Sequence, residues 1–124
     1  FRLELRQGNP DLLIDVCHNP SGTEALSAYL SRHFSDKPAA FLLGILKGKD
    51  AEGMMKALKQ GDNRKIIRVA LRTPLADNTN CKNMEEGIAE ARKHAKGGLI
   101  IICGSFHTVE EAAPYLGYNA SIMT

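Results

Sequence analysis

The segment Asp15-Val16-Cys17-His18-Asn19-Pro20 places a carboxylate and an imidazole three positions apart, at the close of an apolar run over residues 12–16. Charge at the end of a buried strand needs a reason, because taking it out of water is costly. A carboxylate would repel a bare phosphate, so Asp15 suits ribose hydroxyls or Mg²⁺, whereas His18 can donate to a phosphate or carboxylate oxygen. The structural alternative stands beside this one: Asp15 accepting turn amides and His18 lying at the surface. Lys47 and Lys49 flank Gly48 just past a second apolar run. They could aim ammonium groups at phosphate, although paired loop lysines are more often solvated. Gly104-Ser105 allows the backbone to approach a ligand closely, and the same two residues also make an ordinary strand-to-helix turn. His33 and His94 fall on helix positions, and Met54 and Met55 read as core.

These residues lie at junctions, so the elements around them decide what they meet. Residues 1–5 alternate apolar and polar, Gln7-Gly8-Asn9-Pro10 supplies turn chemistry, and residues 12–16 complete a hairpin that enters a sheet. Over residues 21–34, Leu26, Tyr29, Leu30 and His33 recur at three and four with Ala25 beside them, the face of a helix capped by Asn19 with Pro20 at its first position. Residues 39–46 read as a strand buried on both faces, after which Asp50 caps a helix carrying Met54, Met55 and Leu58. Residues 66–71 form the next strand, and a turn-rich loop spans residues 73–83. A helix then begins at the Asn83/Glu86 capping box, buries Met84, Ile88, Ala91 and Ala95, and ends at Gly97-Gly98. Residues 99–103 are a second buried strand. Thr108 with Glu111 reads as a capping box that opens a last helix, broken near Pro114. The alternation predicts an α/β fold: a Rossmann-like open, mostly parallel sheet with an N-terminal β-hairpin. In such sheets ligands gather outside the carboxyl ends of the strands, here at residues 15–22, 47–50, 73–83 and 104–108. Three of these loops lead into capped helices, whose N-termini attract anions.

Several function classes are disfavoured. There is no GxGxxG, GxxxxGK[ST], GxSxG or HExxH, so no complete dinucleotide fingerprint or triphosphate loop is present, and a dinucleotide-dependent oxidoreductase domain is disfavoured. The 16 basic and 14 acidic residues are interleaved and net only +2, which argues against nucleic acid as a partner. The longest clean apolar run, residues 99–103, falls far short of the roughly 18 residues of a membrane helix, so no membrane association is expected. Cys17, Cys81 and Cys103 are odd in number and widely spaced, without CxxC or Cys/His ligand spacing. That pattern suggests neither a disulfide framework nor a zinc site, no metal ligands are expected in this chain, and a reducing cytoplasm fits. A chain of 124 residues opening on Phe1 reads as a single domain over residues 1–124 and as a fragment of a longer protein.

The Asp15–Pro20 motif resembles the D-[GV]-A-H-N-P signature that opens the C-terminal domain of folylpolyglutamate synthase/dihydrofolate synthase, a member of the Mur ligase superfamily. Further pieces follow in matching order. Phe1-Arg2-Leu3-Glu4 is similar to the family's G-R-[FL]-[EQ] strand. Leu43-Gly44 with Lys49-Asp50 and Met54 is similar to G…DKD…M, and Cys103-Gly104-Ser105-Phe106 to [TC]-G-S-[LF]. The resemblance covers essentially the whole chain. Cys17 stands where Ala is usual, and Gly48 where the first Asp of DKD is common. The resemblance implies a Mur-ligase-type C-terminal domain, separated from a central domain that carries the triphosphate loop and the main Mg²⁺ ligands. It implies ATP contacts at Arg2 and Asp15, and catalytic positions near the phosphates and the incoming glutamate at His18 and Ser105. The reaction implied is ATP-dependent addition of L-glutamate to folate or dihydropteroate through an acyl phosphate, by a cytoplasmic monomer, with the isolated fragment inactive. The alternatives are a muramyl-peptide ligase domain and a non-enzymatic Rossmann-like nucleotide-binding module.

Overall fold

The computed structural model of the chain describes residues 3–6, 8 and 10–120. Its elements run β1 (Leu3–Arg6), β2 (Asp11–Asp15), α1 (Pro20–His33), β3 (Ala39–Leu43), α2 (Ala51–Leu58), β4 (Arg64–Arg68), α3 (Met84–His94), β5 (Leu99–Cys103) and α4 (Phe106–Leu116). The strands form one sheet in the order β1-β2-β5-β3-β4. β1 is antiparallel to β2, with Leu3 opposite Asp15, and the other four strands are parallel, with Ile102 of β5 level with both Ile14 and Leu42. The expected hairpin and parallel sheet are therefore both present.

Every residue of β3 and β5 is buried because both faces of the sheet are covered. Leu26 and Leu30 of α1 and Met54 and Leu58 of α2 pack with Leu13, Phe41, Leu43 and Ile101 on one face. Met84, Ile88 and Ala91 of α3 and Val109 and Ala112 of α4 pack with Ile14, Leu42, Ile67 and Ile102 on the other. Each fully buried aliphatic or aromatic side chain in these layers contributes about 1.5–3 kcal/mol relative to exposure.

The α1 stripe differs from the expected one. Thr23, Leu26, Ser27 and Leu30 are buried, while Ala25 and His33 are exposed and Tyr29 half-buried. Two polar residues are admitted because both hydroxyls are satisfied: Thr23 donates to the Pro20 carbonyl at 2.9 Å, and the Ser27 oxygen accepts from the Arg64 guanidinium at 2.7 Å. β4 starts two residues earlier than expected and stops at Arg68, since Ala70 leaves the ladder to donate to the Lys82 carbonyl and Leu71 turns to Asn78.

The last helix also departs from expectation. Ser105, not Thr108, is the cap: its hydroxyl oxygen accepts the Thr108 N–H, so Thr108 holds the third helical position. Glu111 therefore makes no capping box and instead reaches the loop after β4. Pro114 does not end the helix, because only its last turn remains to be made. That turn closes through left-handed Gly117, whose N–H donates to the Ala113 carbonyl.

Candidate functional site

The carboxyl ends of β2, β5 and β3 lie side by side, and the helices that follow β2 and β5 leave toward opposite faces of the sheet. This is the reversal point at which open α/β sheets bind ligands. The loops converge at close range. Gly104, at φ +103°, brings its α-carbon so near the Gly44 carbonyl that no β-carbon would fit. The Thr108 hydroxyl donates to that carbonyl at 3.0 Å.

Asp15 ends β2 fully buried. Its Oδ1 accepts the Cys17 N–H at 2.9 Å, and its Oδ2 is buried with no partner among the described residues. Burial pushes the carboxyl up from 3.8 to about 6, against the opposing pull of the Cys17 amide. A buried acceptor left unmatched in a domain whose other polar groups are largely satisfied is the kind of deficit that a ligand hydroxyl can fill. The Asx-type bond to Cys17 expected of a structural aspartate is present, but it accounts for only one of the two oxygens.

The residues around it follow from local chemistry. Asn19, extended at φ −150°, accepts the Gly22 N–H at 2.8 Å and starts α1 with Pro20 behind it, which leaves His18 exposed at the mouth. Ser105 is 3% exposed and its hydroxyl is committed. It accepts the Thr108 N–H at 3.2 Å and lies 3.1 Å from the Thr108 hydroxyl, so it shapes the turn from within and points no free group outward. Cys17 and Cys103 are both buried beside Asp15. The hydrogen bond with the Cys17 thiol, then burial, holds the Cys103 thiol well above its ordinary range, so it is no nucleophile. Lys47 and Lys49 are exposed on either side of Gly48 (φ +82°) and make no ion pair among the described residues. Arg2 lies outside the described residues, but the strand it precedes opens opposite Asp15.

Elsewhere, a groove of about 480 Å³ lies between α1 and α2, lined by Glu24, Ser27, Lys56 and Gln60 among others. Arg64, beside it, has its guanidinium satisfied by Ser27, Leu58 and Ser31, so the groove holds no unmet polar demand of the kind at Asp15. Two features escaped sequence reading. One is the unmatched Asp15 oxygen, and the other is the loop after β4. There the Asn78 amide pairs with both the N–H and the carbonyl of Leu71, at 2.9 and 3.0 Å. The turn-forming composition of residues 73–83 signalled a loop without signalling that it is fixed.

The sequence profile of the family described as dihydrofolate synthetase, C-terminal domain, matches residues 2–74. Among curated proteins, the dihydrofolate synthase/folylpolyglutamate synthase of Haemophilus influenzae is 29% identical over 122 residues, taking in 82% of this chain and 28% of that protein. The Mycobacterium tuberculosis enzyme of the same name is 36% identical over 58 residues, 47% of this chain and 12% of that protein. The chain thus spans less than a third of the length of these relatives. Among solved structures, Mycobacterium tuberculosis folylpolyglutamate synthase complexed with ADP superposes with a TM-score of 0.80 at 24% identity, over 95% of this chain and 32% of that one. A bifunctional folylpolyglutamate synthase/dihydrofolate synthase with Mn, AMPPNP and L-glutamate bound gives 0.75 at 24% identity, over 95% and 31%.

Proposed function

Because the chain belongs to the dihydrofolate synthetase C-terminal-domain family, we propose that it is one part of an ATP-dependent ligase that joins L-glutamate to folate or dihydropteroate. Residues 1–124 would form a single domain of that longer enzyme. The profile and both curated relatives are folate enzymes, which favours this reading over a muramyl-peptide ligase.

In the proposed reaction a substrate carboxylate oxygen attacks the γ-phosphorus of ATP, giving an acyl phosphate and ADP. The glutamate amine then attacks the acyl carbon, loses a proton and expels inorganic phosphate, leaving an amide. Such chemistry needs positioning and charge neutralisation more than covalent help. In this account Asp15 accepts from a nucleotide hydroxyl through its unmatched Oδ2. Arg2 neutralises phosphate when the domain closes, a task suited to a planar guanidinium. His18, exposed at the mouth, donates to a phosphate or glutamate oxygen, and Ser105 acts by fixing the β5–α4 turn.

Among the described residues no group of three or more His, Cys, Asp or Glu side chains could hold a metal. Mg²⁺, which would offset phosphate charge, is in this proposal held mainly by a central domain outside this chain. No helix among the described residues is long and apolar enough to cross a membrane, and the working form we propose is a cytoplasmic monomer.

The observation that carries this reading is the buried, half-satisfied Asp15 carboxylate at the point where three strand ends converge. Ligation by the full-length enzyme of dihydropteroate labelled with ¹⁸O in its carboxylate tests it. One labelled oxygen should appear in the phosphate released, and its absence during productive ligation would overturn the acyl-phosphate route. The isolated fragment should neither hydrolyse ATP nor ligate glutamate, and a steady ATPase signal abolished by Asp15→Ala would contradict the division of labour.

A further inference from the structure

The loop that leaves β4 carries a charged arrangement that none of the roles above employs. Glu111 is only 8% exposed, on the inner side of α4, and both of its carboxylate oxygens accept the Arg72 backbone N–H, at 2.9 and 3.0 Å. A single amide could be satisfied by a neutral acceptor, so a charge kept out of water at this place calls for a second partner. That partner is the Arg72 side chain. Its Nε stands 3.6 Å from Glu111 Oε1 while the side chain as a whole is 85% exposed. The carboxylate steers the root of the guanidinium and leaves the terminal nitrogens, the fork that matches an oxyanion, without another partner among the described residues.

The backbone from which Arg72 departs is held on both sides. Leu71 is buried against Gly44, near the Thr108 hydroxyl, and the Asn78 amide grips its N–H and carbonyl. Thr108 and Glu111 are neighbours on one face of α4, and Glu111 lies roughly 9 Å along the helix from Ser105, six residues at about 1.5 Å each. Arg72, four residues past the carboxyl end of β4, is therefore held beside the middle of α4, about 9 Å along that helix from the turn that follows β5. A cavity of about 250 Å³ lined by Arg72, Asn83, Glu111 and Tyr115, among others, lies beside it.

We propose that Arg72 is an oxyanion-binding residue of the ligation reaction and that Glu111 is its positioning residue, the anion being a carboxylate of the amino-acid substrate or a phosphate of the nucleotide. The proposal rests on the ligase reading above, which alone says what the reactants are. A guanidinium already aimed loses less entropy on binding than a free side chain, and the fork takes either oxyanion through two parallel bonds.

The test is steady-state ligation by the full-length enzyme, with the Michaelis constants for L-glutamate and ATP measured separately. Arg72→Ala should raise one of them about 10- to 100-fold, the effect of losing a charged hydrogen-bonded contact. A rise for glutamate assigns the carboxylate, and a rise for ATP assigns the phosphate. Its melting temperature should fall by a few degrees because Glu111 loses its counter-charge, so both constants are compared at a temperature where wild type and variant are fully folded. Arg72→Lys, which keeps charge without the fork, should recover only part of the loss. Glu111→Gln retains an acceptor for the Arg72 N–H and keeps the fold, yet should move the same constant in the same direction. Both constants unchanged in Arg72→Ala, or a fall in kcat that merely follows lost stability, would overturn the proposal. Wild-type enzyme unable to ligate glutamate would instead defeat the ligase reading itself, and this inference with it.

Discussion

Replacing Asp15 with asparagine should remove a loss of stability that the wild-type domain undergoes as pH rises toward neutrality. The wild-type carboxyl releases its proton near 3.8 when unfolded and near 6 when folded, because burial disfavours the anion. A group whose folded value is raised contributes fully below its unfolded value and loses that contribution as pH rises through the folded value. Between pH 4 and pH 7.5, Asp15 should therefore remove about 2–3 kcal/mol from the stability of the domain. The asparagine of the variant would not titrate, and its Oδ1 can still accept the Cys17 N–H that Asp15 Oδ1 accepts at 2.9 Å. The cost of burying its NH₂ group is the same at both pH values and cancels in the comparison. Urea titrations of both proteins at the two pH values give four free energies. The difference between the pH-induced changes should come out at about 2–3 kcal/mol, equivalent to roughly 10 °C in melting temperature for a domain of this size. Parallel pH dependences for wild type and variant would refute the reasoning, since they would mean that the Asp15 carboxylate is already well solvated or paired.

Arg64→Ala should cost about 1–3 kcal/mol, because its guanidinium joins Ser27, Ser31 and the Leu58 carbonyl at 2.7–3.2 Å and so ties α1 and α2 to β4; denaturant titration decides, and a loss under 0.5 kcal/mol contradicts the clamp. Ser105→Ala should cost about 0.5–2 kcal/mol through the lost α4 cap, and a variant as stable as wild type would remove the capping role. In the full-length enzyme, Lys49→Ala should impair turnover less than Asp15→Ala, since Lys49 is exposed with no ion pair among the described residues; the reverse order would show that the 47–50 loop touches the reactants.

What was legible in the sequence was local. Asn19, Asp50 and Asn83 each accept the N–H three residues on, as their positions before apolar-periodic segments predict. The unbroken apolar runs that became β3 and β5 announced strands covered on both faces. The apolar run before it predicts Asp15 at the carboxyl end of a strand, where β2 ends. What was illegible depends on partners distant in the chain. Glu111 stands three residues after Thr108, spacing that suits a capping box, but Arg72, 39 positions away, claims the carboxylate. Thr23 and Ser27 break the apolar pattern of α1 yet are buried, because the partner that makes Ser27 tolerable is Arg64, 37 residues on. Nothing within a local window marks the unmatched oxygen of Asp15, since an unmet hydrogen bond is a property of everything around it.

The claim that this domain supplies a nucleotide contact through Asp15 is tested most directly by the ATP dependence of ligation in the full-length Asp15→Asn enzyme, measured beside its melting temperature. The account predicts kcat/KM for ATP lower by about 10- to 100-fold, the equivalent of one charged hydrogen bond, in a protein that is fully folded at the assay temperature. Unchanged ATP kinetics in that folded variant would contradict it.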